Sequence, residues 1–192
     1  MGFSFFFDNT CMGIGLAMDA FSVSLSNGLN EPHMKKRRVI GIAGIFALFQ
    51  FIMPLIGWLF VSTLTQCFEA FEPYIPWIAL ALLSYIGGKM LYDSIKNRNN
   101  GTEAPAVGIG GLILQGIATS IDALSVGTTI SSYAWHEAIL ACLLIGAITF
   151  FICLAGVLIG KKSGTKLAGK AGILGGCILI AIGLKIFIES WF

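Results

Sequence analysis

Two aspartates, Asp19 and Asp122, stand inside strongly apolar stretches and in nearly the same local sequence. The first reads Gly13-Ile14-Gly15-Leu16-Ala17-Met18-Asp19-Ala20-Phe21-Ser22-Val23, the second Gly116-Ile117-Ala118-Thr119-Ser120-Ile121-Asp122-Ala123-Leu124-Ser125-Val126. A carboxylate at bilayer depth costs about 2.5–3.5 kcal/mol on insertion scales, so it is rare without a task. Helical spacing puts Ser22 and Ser26 on the face of Asp19, and Ser125 and Thr129 on the face of Asp122, with Thr119 one turn before. Two such acidic, hydroxyl-bearing stripes facing each other would present two carboxylates and several neutral oxygens. Hard divalent ions such as Mn²⁺ and Mg²⁺ take oxygen sites of that kind. Asp19 and Asp122 are therefore the expected metal ligands. Ser22, Ser125, Thr119, Gln50 and Thr149 are candidate further ligands or positioning groups, with helix packing or an interhelical hydrogen bond as the alternative for each. The Met18 thioether is a possible softer donor, but core packing fits its position as well.

The elements that must hold these residues are membrane helices. The 192 residues are 56% hydrophobic and 11% charged, with a mean hydropathy of +0.86, where a soluble domain carries about 25% charged residues. About 20 apolar residues span a bilayer, and six such stretches fit: 10–29, 39–61, 73–94, 107–130, 137–160 and 171–190. Little chain is left for a soluble catalytic domain. No phosphate-binding Gly-x-x-x-x-Gly-Lys-Ser/Thr loop is present, which argues against ATP as the driver. The first residues lack the basic leader of a signal peptide, so the first span is expected to be retained. Glycines 13, 15 and 116 before the aspartates suggest a bent or unwound helix start that would free carbonyls. Pro54 suggests a kink in the second span.

Charge sets the orientation. Ten of the twelve Lys and Arg fall in the loops after spans 1, 3 and 5: Lys35, Lys36, Arg37 and Arg38; Lys96 and Arg98; Lys161, Lys162, Lys166 and Lys170. The positive-inside rule then places those loops in the cytoplasm and both termini outside. The basic runs are read as topology signals and not as a nucleic-acid surface. Five cysteines form no Cys-x-x-Cys pair, so no zinc or redox motif is read. Cys11 and Cys67 fall toward the same predicted outer face, where a disulfide is conceivable. His33 and His136 lie in loops without companion ligands. No nucleophile–base constellation supports an enzyme, and no bound cofactor is implied.

The two aspartate phrases belong to a longer repeat. Phe49-Gln50-Phe51-Ile52-Met53-Pro54-Leu55-Ile56-Gly57 aligns with Ile148-Thr149-Phe150-Phe151-Ile152-Cys153-Leu154-Ala155-Gly156. Ile86-Gly87-Gly88-Lys89-Met90-Leu91-Tyr92-Asp93-Ser94 aligns with Ile182-Gly183-Leu184-Lys185-Ile186-Phe187-Ile188-Glu189-Ser190. The expected architecture is an all-α, polytopic membrane protein of six transmembrane helices in two three-helix repeats, 1–96 and 107–192, joined by a cytoplasmic linker, 97–106. Because three is odd, the second repeat enters the membrane in the opposite sense. Inverted repeats recur in secondary transporters, with the site near midplane where the halves meet. Lys89 with Asp93, and Lys185 with Glu189, are i,i+4 pairs that are candidates for gating or pairing, against the plainer reading of snorkelling helix ends.

The phrases around Asp19 and Asp122, together with Ile86-Gly87-Gly88-Lys89-Met90, resemble the bacterial manganese efflux pump family called MntP. The resemblance extends over length, six spans and the duplicated half. It implies export of Mn²⁺ from the cytoplasm across the bacterial plasma or inner membrane, with Asp19 and Asp122 as the required acids. The family is similar, more distantly, to LysE-type exporters, and a sporulation-associated group shares the Asp motifs. The expected function is secondary-active Mn²⁺ export, with protons as the candidate exchanged ion and uncoupled transport as the alternative. The alternatives are export of another divalent metal or a cationic amino acid, or a non-transporting membrane factor.

Overall fold

A computed structural model describes residues 3–59, 75–98, 107–166 and 171–189. Among the described residues there are six α-helices and no strand: α1 Phe3–Asn30, α2 Lys36–Leu59, α3 Ile75–Arg98, α4 Ile109–Thr129, α5 Trp135–Lys166 and α6 Ala171–Glu189. Apolar side chains dominate every one, and a helix satisfies its own backbone polar groups, which is what a lipid environment demands. Lys36–Leu59, Ile109–Gly127 and Trp135–Gly164 are each long and apolar enough to cross a membrane, and α6 contributes the shorter apolar run Ile173–Lys185.

The helices overrun the apolar stretches at two ends. α1 begins at Phe3 and not near residue 10, its added turns carrying an Asn9 Nδ2 hydrogen bond to Phe5 O of 2.7 Å. α5 continues to Lys166, beyond the expected 160, because its last turns are held by tertiary contacts. Gly164 abuts Leu29 and Pro32, and Lys161 Nζ donates to Met34 O at 2.7 Å. The expected break before the aspartates is absent. α1 runs unbroken through Gly13 and Gly15, and α4 through Gly116. Gly13 and Gly116 serve close packing instead: a Cβ on Gly13 would press on Ile148 and Ile145, and one on Gly116 on the Phe49 ring. α2 also continues through Pro54.

Helix directions follow from contacts at the two ends of the bundle. At the end carrying Lys35–Arg38, Arg38 Nε pairs with Glu31 at 2.6 Å and Arg38 Nη2 donates to Val107 O at 2.5 Å. The end of α1, the start of α2, the start of α4 and the end of α5 thus meet there. At the other end Trp58 Nε1 donates to Tyr133 O at 3.2 Å, and the Phe5 and Tyr133 rings lie 5.4 Å apart. α3 and α6 run antiparallel, with Trp77 against Phe187 at 4.7 Å and Gly87 against Gly176.

The tightest packing joins helices distant in sequence. α1 packs along α5, α2 against α4 and α5, and α3 against α6; α1 also meets α6, and α3 meets α4. Two glycine crossings make the first contacts possible. Gly28 lies against Gly160, and Gly57 against Gly127, so closely that a Cβ at any of the four would collide with a facing backbone carbonyl or Cα. Small residues at such crossings let membrane helices gain dispersion contact where no hydrophobic drive exists between them. Phe46, Ile42, Val23, Val157, Leu83 and Leu179 belong to one buried cluster running through the bundle.

Candidate cation site

Asp19 and Asp122 come from α1 and α4, which touch each other over a short line, the seam of the bundle. Each lies near the middle of its helix. Asp122 is exposed, and its charge is close enough to those of Asp19 and Lys185 to interact with both. Asp122 Oδ1 accepts a hydrogen bond from Ala123 N at 2.9 Å. Asp19 Oδ1 pairs with Lys185 Nζ at 3.3 Å, the side chains being 20% and 52% exposed. The structure therefore brings the two predicted acids into one electrostatic neighbourhood and adds a lysine from α6.

Lys185 was expected to pair along its own helix with Glu189. Its ammonium reaches across to α1, a contact no helical periodicity can reveal, while the side chain of Glu189 lies outside the described residues, as does that of Asp93. Lys89 is exposed on α3. Cys67 also falls outside the described residues, and Cys11 is an exposed free thiol.

Gln50 is the residue that ties the seam together. It is fully buried on α2, and its Nε2 donates to Leu16 O and to Thr119 O, both at 3.2 Å. Each of these carbonyls lies three residues before an aspartate, so one amide grips α1 and α4 at equivalent points. Both acceptors are carbonyls, which fixes Nε2 as the atom facing them. Its Oε1 is buried and has no hydrogen-bond partner among the described residues. Thr149 on α5, which aligns with Gln50 in the sequence repeat, is likewise fully buried with an unpartnered Oγ1. α2 and α5 cross one turn earlier, where Gly146 abuts Ala47 and Phe51.

The predicted hydroxyls divide. Ser22 Oγ donates to Met18 O at 3.0 Å, Ser125 Oγ to Asp122 O at 2.6 Å, and Thr119 Oγ1 to Gln115 O at 2.9 Å. Each hydroxyl spends its proton on its own helix and keeps oxygen lone pairs for an acceptor or ligand role. Ser26, expected on the Asp19 stripe, instead donates to Gly175 O of α6 at 2.8 Å and is a packing contact. Among the described residues no group of three His, Cys, Asp or Glu could hold a metal ion. A cation here would rest on two carboxylates, with neutral oxygens such as Gln50 Oε1 completing its shell.

Sequence reading missed the seal on the basic side of the seam. Asn27 Nδ2 donates to Gln115 Oε1 at 2.8 Å and Gln115 Nε2 returns a bond to Asn27 Oδ1 at 3.4 Å, both residues buried. Gln115, an amide inside an apolar helix, was the available signal. From Ser26 to Asn30 α1 is buried throughout, and so are Gln115, Gly116 and Ala118 to Ser120 of α4. Toward the other end Asp122, Ser125 and Thr129 are exposed, in a polar stripe unsuited to lipid.

The sequence profile of the family described as "Putative manganese efflux pump" (Mntp) matches residues 33–187. The chain belongs to this family. Its similarity to individual Mntp proteins extends further along the chain. It is 47% identical over 192 aligned residues to a "Putative manganese efflux pump MntP" of Clostridium botulinum strain Loch Maree, covering 93% of this chain and 92% of the relative. It is 43% identical over 180 residues to a protein of that name from Gloeothece citriformis, covering 94% and 93%. No solved structure matches. A pump moves its substrate without transforming it, so this is a family of transporters and not of enzymes. The profile match takes in Gln50, Lys89, Asp122 and Lys185 but begins after α1, so the place of Asp19 in the site rests on geometry.

Proposed function

We propose that the chain is a secondary-active exporter of Mn²⁺ and that Asp19 and Asp122 are the ligands that carry the ion across the seam between α1 and α4. One observation carries this reading: a single buried amide, Gln50, bridges the two helices one turn before each of two carboxylates that come from sequence-repeated positions. Two negative charges match a dication, and the names of the relatives supply manganese as the metal. Six spans in two inverted three-helix repeats, 1–96 and 107–192 about a linker at 97–106, are supported by the pairing of contacts. Exchanging the halves turns the α1–α5 crossing, where Gly156 lies against Phe21 O and Ser24, into the α4–α2 crossing, where Gly57 lies against Leu124 O and Gly127. It also turns the α1–α6 contact into the α4–α3 contact.

In this reading the basic end is cytoplasmic, both termini are outside, and the membrane is the bacterial plasma or inner membrane. The Asn27–Gln115 pair then closes the cytoplasmic side, while the Asp122, Ser125 and Thr129 stripe faces an outer opening, so the conformation described is outward-facing. Mn²⁺ enters from the cytoplasm in the opposite conformation, binds the two carboxylates, and leaves by the outer opening; protons are the exchanged ion. Proton exchange also supplies a driving force against an inside-negative potential, which opposes dication efflux.

The test is ion uptake into sealed, energised inside-out vesicles for the wild-type protein and for Asp19→Asn and Asp122→Asn. Mn²⁺, Mg²⁺, Co²⁺, Cd²⁺ and lysine are compared as substrates. The expected result is Mn²⁺ uptake by wild type and its loss in both variants. Uptake of lysine without metal, or no uptake at all, refutes the exporter; metal uptake unaffected by either change refutes the site.

A further inference from the structure

Ten of the twelve basic residues cluster where the sequence leaves spans 1, 3 and 5, many of them in the terminal turns of α2, α3 and α5; the other two are Lys89, within α3, and Lys185, within α6. They occupy the same place in the matching phrases Ile86-Gly87-Gly88-Lys89-Met90 and Ile182-Gly183-Leu184-Lys185-Ile186. Lys185 holds Asp19 at 3.3 Å and interacts with Asp122 as well. The helices that bear the two lysines pack on each other, and each touches one aspartate helix, α6 touching α1 and α3 touching α4.

We propose that Lys185 and Lys89 are tethered counter-cations that take the place of the metal in alternation. In the conformation described, Lys185 occupies Asp19; in the opposite-facing one, Lys89 occupies Asp122. This rests on the exporter reading and extends it. Carboxylates without a counter-charge at bilayer depth are costly, and an empty transporter must cross between conformations without its dication. An ammonium on a flexible four-carbon stem provides charge on demand and withdraws easily, since it is a compact point charge that a bidentate guanidinium would not be. The half-exposed position of Lys185 suits such movement. A single positive charge also competes poorly with a dication for two carboxylates, so the metal displaces the lysine when it binds. After release on the outer side, the returning lysine closes the site against recapture. Repeat symmetry assigns the same duty to Lys89 on the cytoplasmic side.

The experiment uses the full chain reconstituted in lipid nanodiscs, with Mn²⁺ binding measured for wild type, Lys185→Met and Lys185→Arg. Removing the competing charge is expected to tighten Mn²⁺ binding about two- to fivefold, the scale of one partly exposed ion pair. Lys185→Arg, whose bidentate guanidinium withdraws less readily, does not tighten binding and weakens it. Lys185→Cys tightens binding as Lys185→Met does, and its alkylation with bromoethylamine, which rebuilds an ammonium, returns the affinity to the wild-type value. Unchanged or weaker binding in Lys185→Met, or no reversal on alkylation, overturns the proposal. In inside-out vesicles Lys89→Met, and not Lys185→Met, lowers the KM for Mn²⁺; equal effects overturn the alternation. A metal-free arm does not depend on transport: melting temperatures of Lys185→Met, Asp19→Asn and the double variant give the coupling of the pair, and zero coupling refutes it. Failure of the wild type to take up Mn²⁺ in vesicles instead sinks the exporter reading, so the two failures are distinguishable.

Discussion

Replacing Gln50 with Met should separate stability from transport. The change keeps the length and apolar bulk of the side chain and removes two hydrogen bonds, to Leu16 O and Thr119 O, each 3.2 Å. A typical bond contributes about 0.5–1.5 kcal/mol net, so the loss is about 1–3 kcal/mol. Neither carbonyl is orphaned, because both sit inside helices and are engaged by the helical ladder. The same substitution removes the buried, unpartnered Oε1, which relieves about 1–3 kcal/mol of desolvation. The two effects offset, leaving a stability change near zero and a melting shift within about 5 °C for a chain of this size. Transport should respond differently. The lost amide is the only described side chain bonded to both aspartate helices next to their acids, and small misplacements of reacting or binding groups can cost about a hundredfold. Mn²⁺ uptake into inside-out vesicles should therefore fall by at least about tenfold, measured beside the melting temperature of the same preparation. Wild-type uptake by Gln50→Met would refute the reasoning. So would a melting loss above about 10 °C with uptake per folded molecule unchanged, which would make Gln50 a structural pin alone.

Other consequences are open to measurement. Gly127→Val forces a branched side chain against Pro54 O and Gly57, so it should cost about 1–3 kcal/mol or more and lower the melting temperature and the folded yield. Gly88→Ala, where a Cβ meets nothing within 4 Å, should be neutral or stabilising by about 0.5–1 kcal/mol in the same assay. Arg38→Met removes the Glu31 pair and the Val107 bond at the basic end; about 1–2 kcal/mol of stability should go. In whole cells, an impermeant thiol reagent should label a cysteine placed at the exposed Trp135 and spare one at the exposed Arg37, the reverse pattern refuting the orientation.

Much of the helical layout was legible from composition because apolar length is a one-dimensional property. The expected stretches 107–130 and 171–190 agree with α4 and α6 to within two residues at each end. Helix ends differed from the expected spans at the start of α1 and the end of α5, where Gly164 and Lys161 make contacts with the end of α1 and the segment after it that sequence does not reveal. The glycines before the aspartates were misread as helix breakers; at Gly13 and Gly116 the missing Cβ is required by a neighbour on another helix, and sequence does not name that neighbour. Gln50 was already a candidate by polarity alone, but its two acceptors come from separate helices and only become visible when α1 and α4 are brought together.

The sequence by itself determined that the chain is helical and apolar, that it carries two repeated acids, and which family it joins, because each of these is written in residue types and their spacing. Tertiary structure alone decided that Lys185 meets Asp19, that Ser26 bonds to α6, and that Asn27 and Gln115 bond across the seam. Those are meetings between residues 149, 166 and 88 positions apart. Helical periodicity says which face a side chain occupies, but only packing says what stands opposite that face.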